Sequence, residues 1–76
     1  MILEVLGTGC AKCKMLHEAV LKAVEESGVQ AEVRKVEDIA AILEYGVMST
    51  PALVKDGKLL VSGKIPTPKE IIAWLV

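Results

Sequence analysis

Asp56-Gly57 stands between two short apolar-rich runs, residues 52–55 and 58–61, and no other feature limits the fold as tightly. A two-residue loop of this composition takes a type I′ turn, in which both residues have positive φ, and such a turn joins adjacent antiparallel strands. Thr67-Pro68-Lys69-Glu70 follows. It offers an N-cap hydroxyl, proline at the first helical position and glutamate at the third, a capping box that opens a helix carrying Ile71, Ile72 and Leu75. The chain is expected to run through a hairpin and end on a helix.

The upstream half reads as a crossover unit. Ile2-Leu3-Glu4-Val5-Leu6 is nearly continuous in apolar residues, as a central strand covered on both faces requires. From about Ala11 to Ser27 the residues Leu16, Val20, Ala23 and Val24 recur at helical spacing, with Glu18, Lys22 and Glu26 outside, and Gly28 supplies the left-handed stop. Val29 to Val36 alternates apolar with polar, the period of a half-buried strand nearer the sheet edge. Asp38 caps a short second helix that is expected to turn Ile39, Ile42 and Leu43 inward and to end at Gly46. The expected architecture is α/β: a βαβαββα chain with a four-stranded mixed sheet and three helices, residues 1–76 forming one domain with the first strand central.

Composition narrows the function classes. The chain has 76 residues and a net charge of −1, too weak a field to draw in nucleic acid or an anionic membrane surface. Its longest apolar stretches fall far short of the roughly 20 residues that cross a bilayer. The N-terminus has no basic segment ahead of its apolar run and no small-residue cleavage site, so a cytoplasmic protein is expected. Trp74 and Tyr45 are the only aromatics, so the core must be aliphatic. No feature requires a cofactor or a second copy of the chain, and a monomer is expected.

The chemistry concentrates in Gly7-Thr8-Gly9-Cys10-Ala11-Lys12-Cys13-Lys14, which holds both cysteines of the chain. Two thiols three positions apart, where a strand feeds a helix, can close a disulfide ring or grip a soft metal ion. In a reducing compartment a structural staple is the weaker reading, since so short a loop removes little unfolded-chain entropy. Cys10 falls at the helix start, where unpaired backbone N–H groups and the positive end of the helix dipole stabilise a thiolate, so it is the better nucleophile; Cys13 lies one turn in. Lys12 and Lys14 add positive charge. Were they more than solvated surface residues, they would favour the reduced form and make the couple comparatively oxidising.

A second signal is Ser49-Thr50-Pro51, immediately before the hairpin. Proline is tolerated at the first residue of a strand, and the dipeptide alone favours a trans bond.

Together, Cys-x-x-Cys after the first strand, Thr-Pro before an antiparallel hairpin and a terminal helix resemble the thioredoxin superfamily in its short, glutaredoxin-like form. Gly7, Gly9, Cys10 and Cys13 match the Gly-x-Gly-Cys-x-x-Cys of small redox-active-disulfide proteins of bacteria and archaea. The resemblance covers the whole chain in element order. It implies thiol–disulfide exchange with Cys10 as nucleophile and Cys13 as resolving thiol, acting on protein or low-molecular-weight disulfides and recharged by a reductase. It further implies a cis bond before Pro51, with the Thr50 backbone pairing with substrate. Glu4 falls six positions before Cys10, where thioredoxins carry an acid that helps deprotonate the resolving thiol. Ala11-Lys12 replaces the usual Gly-Pro, no Trp precedes Cys10, and Ser62-Gly63-Lys64 lacks the acidic residue of glutathione-binding relatives.

Two other functions use the same residues. Cys10 and Cys13 could hold Cu(I) or zinc, with His17 four residues after Cys13 and Met15 and Met48 as soft donors. His17 is more simply a solvated helix residue, and the two methionines more simply fill gaps in a core. The motif also resembles that of heavy-metal-associated copper chaperone domains, which run strand, helix, strand, strand, helix, strand and end on a strand. A non-catalytic docking subunit would keep the fold without needing the dithiol.

Overall fold

In the computed structural model, which describes residues 1–8, 11–47 and 49–75, the elements follow in the expected order: β1 (Ile2–Leu6), α1 (Ala11–Ser27), β2 (Glu32–Val36), α2 (Ile39–Glu44), β3 (Ala52–Lys55), β4 (Lys58–Ser62) and α3 (Pro68–Leu75). They form a four-stranded mixed sheet in the order β2-β1-β3-β4. β1 runs parallel to β2, with Ile2 opposite Glu32 and Leu6 opposite Val36. It runs antiparallel to β3, with Leu3 opposite Lys55 and Leu6 opposite Ala52. An order ending on α3 departs from that of the heavy-metal-associated domains.

β1 is buried on both faces, as its apolar run requires. Leu3 and Val5 join Leu16, Val20 and Ala23 of α1, Leu53 of β3 and Ile71 and Leu75 of α3 in one cluster. Leu6 turns the other way and packs with Ile42, Val47, Ala52 and Val54. α1 and α3 therefore cover one face of the sheet and α2 the other. Both clusters are aliphatic.

Local chemistry sets the boundaries. Asp56 and Gly57 both have positive φ, 48° and 83°, as a type I′ turn demands. The turn also clamps the start of β1: Asp56 N–H donates to Ile2 O, and Ile2 N–H donates to Asp56 Oδ1, each at 2.8 Å. Thr67 and Glu70 close the capping box, Glu70 N–H donating to Thr67 Oγ1 and Thr67 N–H to Glu70 Oε1, both at 3.3 Å. Asp38 Oδ1 accepts from Ala40 N–H at 3.2 Å and caps α2.

Two expectations need correction. The second strand begins at Glu32, not Val29, because its partner β1 begins at Ile2; residues 29–31 have no ladder to join, although Val29 and Ala31 still pack against the core. In α2 only Ile42 turns inward, while Ile39 is 61% exposed and Leu43 63%. At 100° per residue Ile39 and Leu43 lie 40° apart on one side of the helix, so a six-residue helix presents Ile42 to the sheet and leaves that pair outside.

This division predicts a sharp contrast in stability. Leu53→Ala removes a side chain with no exposed surface and is expected to cost about 2–5 kcal/mol in urea unfolding. Leu43→Ala is expected to stay within about 0.5 kcal/mol of the parent. Equal losses for the two would mean that the exposed face of α2 is covered in solution.

Candidate active site

The C-terminal end of β1 leads into the turn before α1. Gly7 is buried there, its N–H donating to Val36 O at the end of β2 at 3.0 Å. Cys13, the third residue of α1, is 6% exposed and is the first of that helix's buried residues, followed by Leu16, Val20 and Ala23. The thiol thus belongs to the inward stripe of α1. It sits directly on Gly7: a Cβ built there would overlap Cys13 Sγ, lie 3.0 Å from Cys13 Cβ and 4.0 Å from Thr50 Cβ. Cys10, Gly9 and Met48 lie outside the described residues, so the dithiol is described at Cys13.

Thr50 approaches the same point from the other neighbour of β1. The Thr50–Pro51 bond is cis, Thr50 is exposed and Pro51 fully buried. Pro51 O accepts from Gly63 N–H at 2.8 Å, tying the segment to the end of β4. Gly63 has φ of 72°, and a Cβ on it would lie 3.0 Å from Ser49 Cβ, so the backbone of β4 and the Ser49-Thr50-Pro51 segment run in close contact. Cys13, Gly7, Thr50 and Pro51 are therefore brought together from α1, β1 and the approach to β3.

A cleft opens beside Cys13 on the β2 side, lined by Val5, Gly7, Cys13, Lys14, Lys35 and Glu37. Lys12 and Lys14 are both exposed on the first turn of α1. His17 is half-buried one turn beyond Cys13, and its burial, together with the Lys35 ammonium nearby, holds it below the ordinary imidazole range. Met15 is 56% exposed and so is not the core gap-filler its sequence context suggested. Among the described residues no group of three His, Cys, Asp or Glu side chains is placed to hold a metal ion.

Glu4 lies on the other face of the sheet. Strand alternation turns it away from Val5 toward the side covered by α2, where Tyr45 Oη donates to Glu4 Oε1 at 2.9 Å. The carboxylate favours the protonated phenol and pushes Tyr45 above its ordinary range. Neither this pair nor the seating of Cys13 on Gly7 was read from the sequence. A tyrosine 41 positions from its carboxylate leaves no local signal, whereas a glycine closing an apolar strand before two cysteines does suggest close approach.

The whole chain, residues 1–76, matches the family model described as "Thioredoxin domain". A curated protein named thioredoxin from Methanothermobacter thermautotrophicus is 39% identical over 71 residues, covering 93% of this chain and 92% of the relative. Another of that name from Methanocaldococcus jannaschii is 44% identical over 71 residues, covering 93% and 81%. The solved structure of a malarial protein superposes with a TM-score of 0.71 over 97% of this chain and 91% of its own, at 20% identity, and shares the fold. No described helix is long and apolar enough to cross a membrane.

The Tyr45–Glu4 bond predicts a pH dependence. A phenol whose pKa is raised by folding contributes stability in full below the unfolded value of about 10 and loses it as pH rises through the folded value. The stability difference between the parent and Tyr45→Phe should therefore be constant at pH 7–9 and shrink by pH 11 in urea melts. A difference unchanged at pH 11 would show that the bond contributes nothing.

Proposed function

Because this chain belongs to the thioredoxin domain family, we propose that it is a thiol–disulfide oxidoreductase in which Cys10 is the nucleophile and Cys13 the resolving thiol. The observation that carries this reading is the seating of Cys13: a sulfur-bearing side chain buried against the end of β1, beside Thr50 and the cis bond to Pro51. Burial shields Cys13 from disulfides in solution. That leaves the first attack to Cys10, three residues earlier in the sequence.

In the first step the Cys10 thiolate attacks one sulfur of a partner disulfide. The partner's S–S bond breaks, its second sulfur leaves as a thiolate, and a Cys10–partner mixed disulfide forms. The Cys13 thiolate then attacks Cys10, the mixed disulfide breaks, and the partner leaves with both sulfurs reduced while Cys10 and Cys13 become a disulfide. Two electrons pass to the partner, and a reductase returns them. Exposed Thr50 offers backbone groups with which an extended substrate segment pairs, the β-augmentation mode of peptide recognition. Protein disulfides fit that arrangement, and low-molecular-weight disulfides need only the sulfurs. We place this activity in the cytoplasm, in a monomeric single-domain protein that needs no metal or cofactor.

Glu4, bound to Tyr45 on the α2 face, is not assigned the proton from Cys13.

Dithiothreitol-driven reduction of insulin tests the reading. The parent should accelerate it, Cys10→Ser should abolish the effect, and Cys13→Ser should arrest as a mixed disulfide seen by mass. A tight stoichiometric Cu(I) or zinc complex at pH 7 with no exchange activity would support metal binding instead. The lysines beside the thiols are expected to hold the couple on the oxidising side. Lys12→Gln with Lys14→Gln should lower the reduction potential by on the order of 10 mV, the scale of exposed charges. No change would make both lysines solvated bystanders.

A further inference from the structure

We propose that Gly7 is a positioning residue for the exchange reaction: its missing side chain is the space in which the Cys13 sulfur rests, and that space sets where the resolving thiol stands. The inference rests on the assignment of Cys13 as resolving thiol, and the contact itself is read from the fold. A Cβ on Gly7 would overlap Cys13 Sγ and lie 3.0 Å from Cys13 Cβ. The requirement is one of space and not of backbone conformation, because Gly7 is not among the glycines of positive φ, which are Gly28, Gly46, Gly57 and Gly63. At Gly28, Gly46 and Gly57 an added Cβ meets nothing within 4 Å, and at Gly63 it meets Ser49. Of these glycines Gly7 alone abuts the thiol.

Both partners are tethered to the core. Gly7 is held by its N–H bond to Val36 O at 3.0 Å and follows Leu6, which is fully buried and paired on both sides, to Val36 and Ala52. Cys13 is anchored three residues before Leu16, itself without exposed surface in the cluster that joins α1 to β1 and α3. Rotation of the cysteine about χ1 is the remaining freedom, and a helix disfavours one of the three staggered positions. A side chain on Gly7 therefore turns the sulfur away from the end of β1 or lifts the first turn of α1.

The two chemical steps separate this role from a purely structural one. Attack of Cys10 on the partner disulfide does not use the Cys13 sulfur. Resolution does: its electron pair forms the Cys10–Cys13 bond as the Cys10–partner bond breaks and the partner sulfur leaves as a thiolate, protonated from solvent. Displacing one reacting atom by about 1 Å can cost as much as a hundredfold in rate.

Gly7→Ala is therefore expected to slow release of partner from a preformed Cys10 mixed disulfide by tenfold or more, with formation of that mixed disulfide within twofold of the parent. Resolution at the parental rate in a folded Gly7→Ala protein would overturn the proposal. A stability cycle reads the contact without any exchange reaction. Gly7→Ala should lower the urea midpoint of the parent clearly more than that of Cys13→Ala, where the sulfur is gone. Equal losses in both backgrounds would also overturn it. Should Gly7→Ala alone not fold, the double variant Gly7→Ala with Cys13→Ala should fold, and its failure to do so would count against the proposal. Failure of the parent to exchange disulfides at all would remove the proposed function while leaving the stability cycle to report on the contact.

Discussion

β1 is the constraint on which the rest of the structure depends. It is paired on both sides, to β2 in parallel and to β3 in antiparallel sense, and buried on both faces. Leu3 and Val5 supply the cluster under α1 and α3, and Leu6 the cluster under α2. A chain this short buries only about 60% of its unfolded surface, so one strand that serves both clusters makes the most of few apolar residues. The same strand carries the chain to Gly7, and the site begins where the ladder ends. The segment leading to Cys13 is thus attached to a strand paired on both sides, while Thr50 and Pro51 reach it along β3.

The fold was legible wherever a local rule had a single solution. Asp56-Gly57 permits one turn type, and both residues take the positive φ it needs; Thr67 and Glu70 close the box their spacing describes. The readings that missed were those decided by a partner. Residues 29–31 alternate like a strand, but β1 is too short to pair with them. Ile39 and Leu43 are as apolar as Ile42, yet a helix of one and a half turns meets the sheet along one line, and Ile42 holds it.

The site divides in the same way. That a dithiol and a Thr-Pro should meet was visible in Cys10, Cys13, Thr50 and Pro51 through their resemblance to a known family, and the fold brings Cys13 to Thr50 across Gly7. The glycine that closes the apolar strand hints at a close approach there, but that the Cys13 sulfur makes it depends on how near α1 comes to the end of β1. Glu4 shows a related limit. Its place six residues before Cys10 says nothing of which face it takes, and strand alternation turns it to Tyr45.

That placement has a consequence for the charges around the thiol. With Glu4 on the α2 face, the charged groups lining the cleft beside Cys13 are Lys14 of α1, Lys35 of β2 and Glu37 just beyond β2. Two ammonium groups and one carboxylate give that cleft a net positive character. Of these groups Lys35 stands on the edge strand, Glu37 just beyond it and Lys14 on the first turn of α1, all three exposed. The seat of the sulfur and the charges of the cleft thus come from different places in the fold: Gly7 closes the buried strand, whereas Lys14 and Lys35 stand exposed on either side of the cleft.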